Sequence, residues 1–240
     1  GTEYDVVIRG VNDLGTGEAS NSLSATPVTT PAAPTVDSLT IGDGQVDLFF
    51  TAGDDGGSEI TDYEYSTDGG TTWVSAGSTT SPITITGLDN GTDYDVTVRA
   101  VNAVGEGNAP ESETVSPGTV PAAPALDSLV VGNEQITAHF TPGDGGGRDI
   151  TNYQYSTDGG LTWVTLDPAS TTSPITITGL TNGTEYEVTV RAVNELGESS
   201  AATVLKAIPE IVAGPPGPPT ALSGTSTAPG EFEVSFTAPS

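Results

Sequence analysis

An all-β fold of tandem antiparallel sandwiches is predicted by three observations. Apolar and polar residues alternate over short stretches, the period of a strand with one buried face. Turn residues interrupt these stretches about every ten residues, as a seven-stranded sandwich requires. Blocks of sequence also recur: residues 31–39 match 121–129, and 63–73 match 153–163. A unit of about ninety residues is too long for a solenoid repeat and suits a small independent domain. The most regular block is spelled three times, as Tyr94-x-Val96-x-Val98-x-Ala100-x-Asn102, as Tyr186-x-Val188-x-Val190-x-Ala192-x-Asn194, and as Tyr4-x-Val6-x-Ile8-x-Gly10-x-Asn12.

These offsets divide the chain into residues 1–30, the last two strands of a repeat; 31–120 and 121–212, two complete repeats; and 213–240, a Pro-rich linker with the first two strands of another. A chain opening on the sixth strand of a repeat implies a longer array. Within a complete repeat the expected strands cover residues 35–40, 46–51, 60–67, 72–75, 83–86, 94–102 and 111–116. No window has helical periodicity. In the sixth strand Tyr94, Val96, Val98 and Ala100 share the buried face, and Asp95, Thr97 and Arg99 the other. The linkers at residues 28–31, 118–121 and 213–219 contain Pro, which fixes φ and makes them extended, semi-rigid spacers.

Composition removes several functional classes. Lys and Arg number 5 against 32 Asp and Glu, a net charge of -27 spread along the chain. Such a field repels nucleic acid and anionic membranes, and no run is long and apolar enough for a membrane helix. Cys is absent, so the core holds without disulfides. His139, the one histidine, replaces Phe49 of the other repeat inside a strand. With no second His and no Cys, neither a zinc site nor a Ser-His-Asp arrangement can be assembled. Turn and surface carboxylates read as solvated, not as a glycosidase pair.

The residues Pro34, Ile60, Tyr63, Leu88 and the Tyr94 to Asn102 run, with Gly105 and Gly107 after it, resemble the fibronectin type III family. The resemblance covers nearly the whole chain. It implies seven-stranded, immunoglobulin-like sandwiches strung as beads, with Tyr4, Tyr94 and Tyr186 capping a corner by hydrogen bonding to the backbone. The family usually carries Trp on the second strand; Phe50, Phe140 and Phe236 stand near that place here. No Arg-Gly-Asp is present to carry the family's integrin-binding mode.

Ser66-x-Asp68-x-Gly70-x-Thr72-Trp73 recurs as Ser156-x-Asp158-x-Gly160-x-Thr162-Trp163 and resembles the Asp-box of sialidases and other propellers. The resemblance implies a structural hairpin in which Asp68 and Asp158 bond the turn and Trp73 and Trp163 pack inward. Four Arg cannot supply a sialidase's arginine cluster. The loops holding Asp54 and Asp55, and Asp144 in the second repeat, read as solvated turns, with calcium held by hard oxygen ligands as the alternative. Asn90-Gly91-Thr92 and Asn182-Gly183-Thr184 are N-glycosylation sequons. The Asn-Gly pair is also what a tight turn with positive φ demands, and that reading is preferred.

The sequence thus predicts a non-catalytic, secreted or cell-surface repeat segment, a stalk, spacer or building block of a fibre or layer. Its expected partners are neighbouring repeats and copies of itself, with calcium or salt screening the charge. The alternative is an adhesive or carbohydrate-binding accessory module of a polysaccharide-degrading enzyme or a phage tail protein.

Overall fold

A computed structural model describes residues 1–211, 220–228 and 230–237. The spacer expected at residues 213–219 lies outside them. The opening segment forms β1 (Tyr4–Val6), β2 (Val11–Asn12), β3 (Gly15–Thr16) and β4 (Leu23–Ala25). β1 pairs with β4 and β2 with β3, both antiparallel.

The first repeat contains β5 (Thr35–Gly42), β6 (Gln45–Thr51), β7 (Ile60–Ser66), β8 (Val74–Ser75), β9 (Ile83–Thr86), β10 (Tyr94–Asn102), β11 (Gly105–Glu106) and β12 (Glu113–Val115). One sheet has the order β5-β6-β9 and the other β11-β10-β7-β8, with β12 also on β10. The second repeat reproduces this with β13 (Ala125–Gly132), β14 (Gln135–Thr141), β15 (Asn152–Ser156), β16 (Val164–Thr165), β17 (Ile175–Thr178), β18 (Tyr186–Asn194), β19 (Gly197–Glu198) and β20 (Leu205–Ala207). β21 (Thr220–Ala228) and β22 (Glu231–Thr237) form a final antiparallel hairpin. No described residue is helical.

Side-chain alternation builds the core. Along β6, Val46, Leu48 and Phe50 are buried; along β9, Ile83 and Ile85; along β10, Val96, Val98 and Ala100. Tyr63 of β7 joins them, its ring centroid 4.5 Å from that of Phe50 at an interplanar angle of 57°. Phe50 therefore takes the core place in which the family usually has Trp. Each Val, Leu, Ile or Phe among them contributes roughly 1.5–3 kcal/mol by leaving water. Phe140 and Tyr153 repeat the ring pair with the same distance and angle.

Apart from one-residue shifts at the ends of β6 and β7, four strands differ from expectation. β5 runs on to Gly42, and β8 begins at Val74 because Thr72 is drawn into the turn before it. β12 is shorter than expected, and β11 was not anticipated. The outward face of β10 is also drier than alternation predicts. Thr97 is buried with its hydroxyl donating to the carbonyl of Pro110, because the chain returning toward β12 covers it. In the opening segment the side chains equivalent to the core valines of β10 are open: Val6 is 50 % and Ile8 73 % exposed.

Two compact units can be distinguished. One comprises Gly1–Ala122 with Gly143–Asn152 and Ala192–Ser200; the other comprises Ala123–Pro142, Tyr153–Arg191 and Ala201–Ser240. Residues 27–32 and 117–122, the loops at 54–58 and 144–148, and Asn102 and Asn194 all lie in the first.

Candidate functional site

The hairpin between β7 and β8 concentrates the conspicuous polar residues. β7 ends on Ser66, which is buried and whose Oγ accepts from the amides of Asp68 (3.2 Å) and Gly70 (2.8 Å). The same hydroxyl donates to Asp68 Oδ1 at 2.7 Å. That carboxylate also accepts the Thr72 amide at 2.8 Å and, through Oδ2, the Thr72 hydroxyl at 2.7 Å. Gly70 has φ of 88°, a left-handed conformation that disfavours a Cβ. An added Cβ would also stand 3.3 Å from Trp73. Opposite it, the Gly69 amide donates to the carbonyl of Asp95 at 2.9 Å, tying the turn to β10.

These donors hold the Asp68 carboxyl down at about 2: the Thr72 amide first, then the hydroxyls of Thr72 and Ser66. Asp158 is likewise lowered to about 2, by the Thr162 hydroxyl first, then the Thr162 amide and the Ser156 hydroxyl. Both aspartates are spent on closing a turn.

Trp73 does not pack inward as expected. It is half-buried on the sheet surface, outside the core cluster, with the Arg99 guanidinium 4.3 Å from its ring centroid. Arg99 is fixed in turn by Glu64, with Nη2 at 2.6 Å and Nε at 2.7 Å from one carboxylate oxygen. Trp163 is covered by Arg191 at the same distance, and there Nε donates to the neutral Gln154 at 2.6 Å. The reason is directional: Arg99 and Arg191 point out from β10 and β18, and a planar guanidinium covers an aromatic face better than water does.

Tyr94 and Tyr186 each accept a backbone amide at the turn before their strand. The amide of Asp89 donates to the Tyr94 hydroxyl at 3.0 Å, and that of Thr181 to the Tyr186 hydroxyl at 3.0 Å. Tyr4 is 55 % exposed. Asp54 and Asp55 each accept the amide two residues on, Gly56 at 2.9 Å and Gly57 at 2.7 Å; Asp144 does so from Gly146 at 2.8 Å. Each carboxylate therefore caps its own loop. Among the described residues, no three acidic, histidine or cysteine side chains converge as a cation site.

Asn90, a sequon residue, has its side-chain amide committed at both ends. Its Oδ1 accepts from the Gly44 amide at 2.9 Å, and its Nδ2 donates to Asp43 at 2.7 Å. Asn182 repeats this with the Glu134 amide and Asn133. Gly91 and Gly183 both have φ of 80°, the left-handed conformation expected of the tight turn. Sequence reasoning missed Asn102, Asn194 and Arg148 as functional side chains. The signal lay in the Ala-x-Asn ending of the repeated block, which all but the opening copy carries in full.

Compared with known families, residues 31–117 and 123–207 each match the fibronectin type III domain. Exoglucanase B of Cellulomonas fimi is 30% identical over 221 residues, covering 84% of this chain. Endoglucanase B of the same organism is 32% identical over 146 residues, 56% of the chain. The Kelch domain-containing protein SSO1033 of Saccharolobus solfataricus is 33% identical over 137 residues, 57% of the chain. The chain spans 20%, 14% and 18% of these three relatives' own lengths. The corner tyrosine, the two-sheet order and the two matches agree, and the chain belongs to the fibronectin type III family.

Proposed function

We propose that this chain is a non-catalytic structural segment of a longer secreted or cell-surface protein, acting as a stalk, spacer or building block of an extracellular fibre or layer. The observation that carries the reading is the use to which the conspicuous polar side chains are put. Ser66, Asp68, Thr72, Asn90 and Tyr94 each bond the turn or corner that holds them, and the second repeat spends its copies in the same way. Groups committed to their own backbone are stiffeners, not recognition elements for a substrate. Neighbouring repeats, and copies of itself under salt screening, are the partners that fit.

Stretching single molecules of the 240-residue chain tests this. Each complete repeat should unfold as one event, releasing about 300 Å of extended chain. Adding soluble β-glucan should leave the unfolding forces unchanged. Glucan-dependent stabilisation would overturn the spacer reading in favour of the second one, an accessory module of a polysaccharide-degrading enzyme. That alternative is favoured by the likeness to two glucanases, one of them across 84% of this chain.

A further inference from the structure

A groove that reads backbone recurs in front of both complete repeats. In the first, the Asn102 carboxamide is buried and saturated. Its Nδ2 donates to the carbonyls of Thr29 and Asp55, both at 2.8 Å, and its Oδ1 accepts the amides of Val104 (2.9 Å) and Gly105 (3.3 Å). The Thr29 amide donates to the Gly56 carbonyl at 2.9 Å and the Ala32 amide to that of Asp54 at 2.8 Å. One carboxamide thus joins three segments: the incoming linker, the loop after β6 and the turn after β10.

The second groove repeats the arrangement. Asn194 Nδ2 donates to the carbonyls of Thr119 and Gly145, both at 2.9 Å. The Thr119 and Ala122 amides donate to Gly146 and Asp144, each at 2.8 Å. Each of these hydrogen bonds uses main-chain atoms of the linker, so Thr-Thr-Pro and Thr-Val-Pro fit alike. The floor has to be glycine: a Cβ added to Gly56 or Gly146 would stand 2.4 Å from the carbonyl oxygen of Thr29 or Thr119.

The two grooves differ most in a charged pair that only the second has. Arg148 stands where the first repeat has Ser58, and Glu195 where it has Ala103. Arg148 Nη2 donates to the Ser116 carbonyl at 2.7 Å and Nη1 to that of Pro117 at 3.3 Å, while Nε meets Glu195 at 2.7 Å. Charge-assisted bonds to backbone carbonyls are the stronger kind. Pro117 and Gly118 are buried, whereas Pro27 and Val28 at the first groove are exposed.

We propose that residues 27–32 and 117–122 are docked peptides, held in backbone-reading grooves latched by Asn102 and Asn194, and that the Arg148–Glu195 clasp makes the second groove the slower to open. The occupant is an extended Thr-x-Pro segment of the same chain. This holds whether the array serves as a spacer or as an accessory module.

Amide exchange on the labelled 240-residue chain, read by NMR, tests it. Thr119 and Ala122 should exchange more slowly than Thr29 and Ala32. Asn102→Asp keeps the acceptor for Val104 and Gly105 but removes the donor. It should speed exchange at Thr29 and Ala32 at least about tenfold, since the bonds to the Thr29 and Asp55 carbonyls are both lost, and leave Val98, Ala100 and Thr119 unmoved. Arg148→Ser, which installs the residue of the first repeat, should bring Thr119 and Ala122 to the rate of Thr29 and Ala32. Unchanged exchange at Thr29 in Asn102→Asp, an equal rise at Val98, or an unmoved Thr119 in Arg148→Ser would each overturn the proposal.

Discussion

The Arg99 guanidinium lies 4.3 Å from the centre of the Trp73 ring, on a tryptophan that sits outside the sandwich core. The pair joins β10 to the hairpin after β7, and Glu64 holds the guanidinium from the other side. Removing it with Arg99→Ala should cost about 1 kcal/mol, the sum of a partly desolvated cation–π contact and a modest ion pair. Urea denaturation reads the loss, and Trp73 emission should shift to longer wavelength as water reaches the ring. Arg99→Lys should recover less than half, because an ammonium keeps the charge but not the planar stack.

Acid should loosen the Asp68 and Asp158 hairpins before it touches the core. Both carboxyls sit at about 2 in the fold against an ordinary 3.8, so the unfolded chain takes up protons first. Their contribution is complete above the ordinary value and is lost as pH falls through about 2. Melting temperature should therefore drop between about pH 5 and pH 2. The double substitution Asp68→Asn with Asp158→Asn should flatten that part of the profile; an unchanged slope would contradict the assignment.

Tyr94→Phe removes the acceptor of the Asp89 amide without changing the ring. The expected loss is about 1 kcal/mol in the first repeat, with the fold intact by circular dichroism. Tyr186→Phe should act equally on the second repeat. Tyr4→Phe, at a position 55 % exposed, should change denaturation midpoints by less than the others.

Leu48→Ala empties a site with no solvent exposure in β6 and should cost about 3 kcal/mol. Its counterpart in β14 is already alanine, Ala138, and is equally buried. The two repeats therefore fill this layer with different volumes, so Ala138→Leu should strain the second repeat, not strengthen it. Differential scanning calorimetry of each variant reads both signs.

Strand positions and inward faces were legible because a period of two is a local property: Val46, Leu48 and Phe50 announce their own burial. The turn chemistry of Asp68 was legible for the same reason, since its partners lie within four residues. Trp73 was misplaced because a large apolar ring suggests the core, while its location depends on Arg99, twenty-six residues away and outward-facing. Thr97 broke the alternation because a later segment covers it, at Pro110. Arg148 and Asn194 act on the carbonyls of residues 116–119, and no periodicity encodes which backbone a side chain will meet.

The corner that carries Asn90 and Gly91 has a chemical consequence. Asparagine followed by glycine is ordinarily the fastest pair to deamidate, because the glycine nitrogen attacks the side-chain amide and closes a succinimide ring. Here the Gly91 nitrogen donates to the Pro117 carbonyl at 2.9 Å, and both ends of the Asn90 amide are held by Gly44 and Asp43. Gly183 is pinned in the same way by Pro209. A protein with this corner ages slowly at the two places where its sequence invites decay.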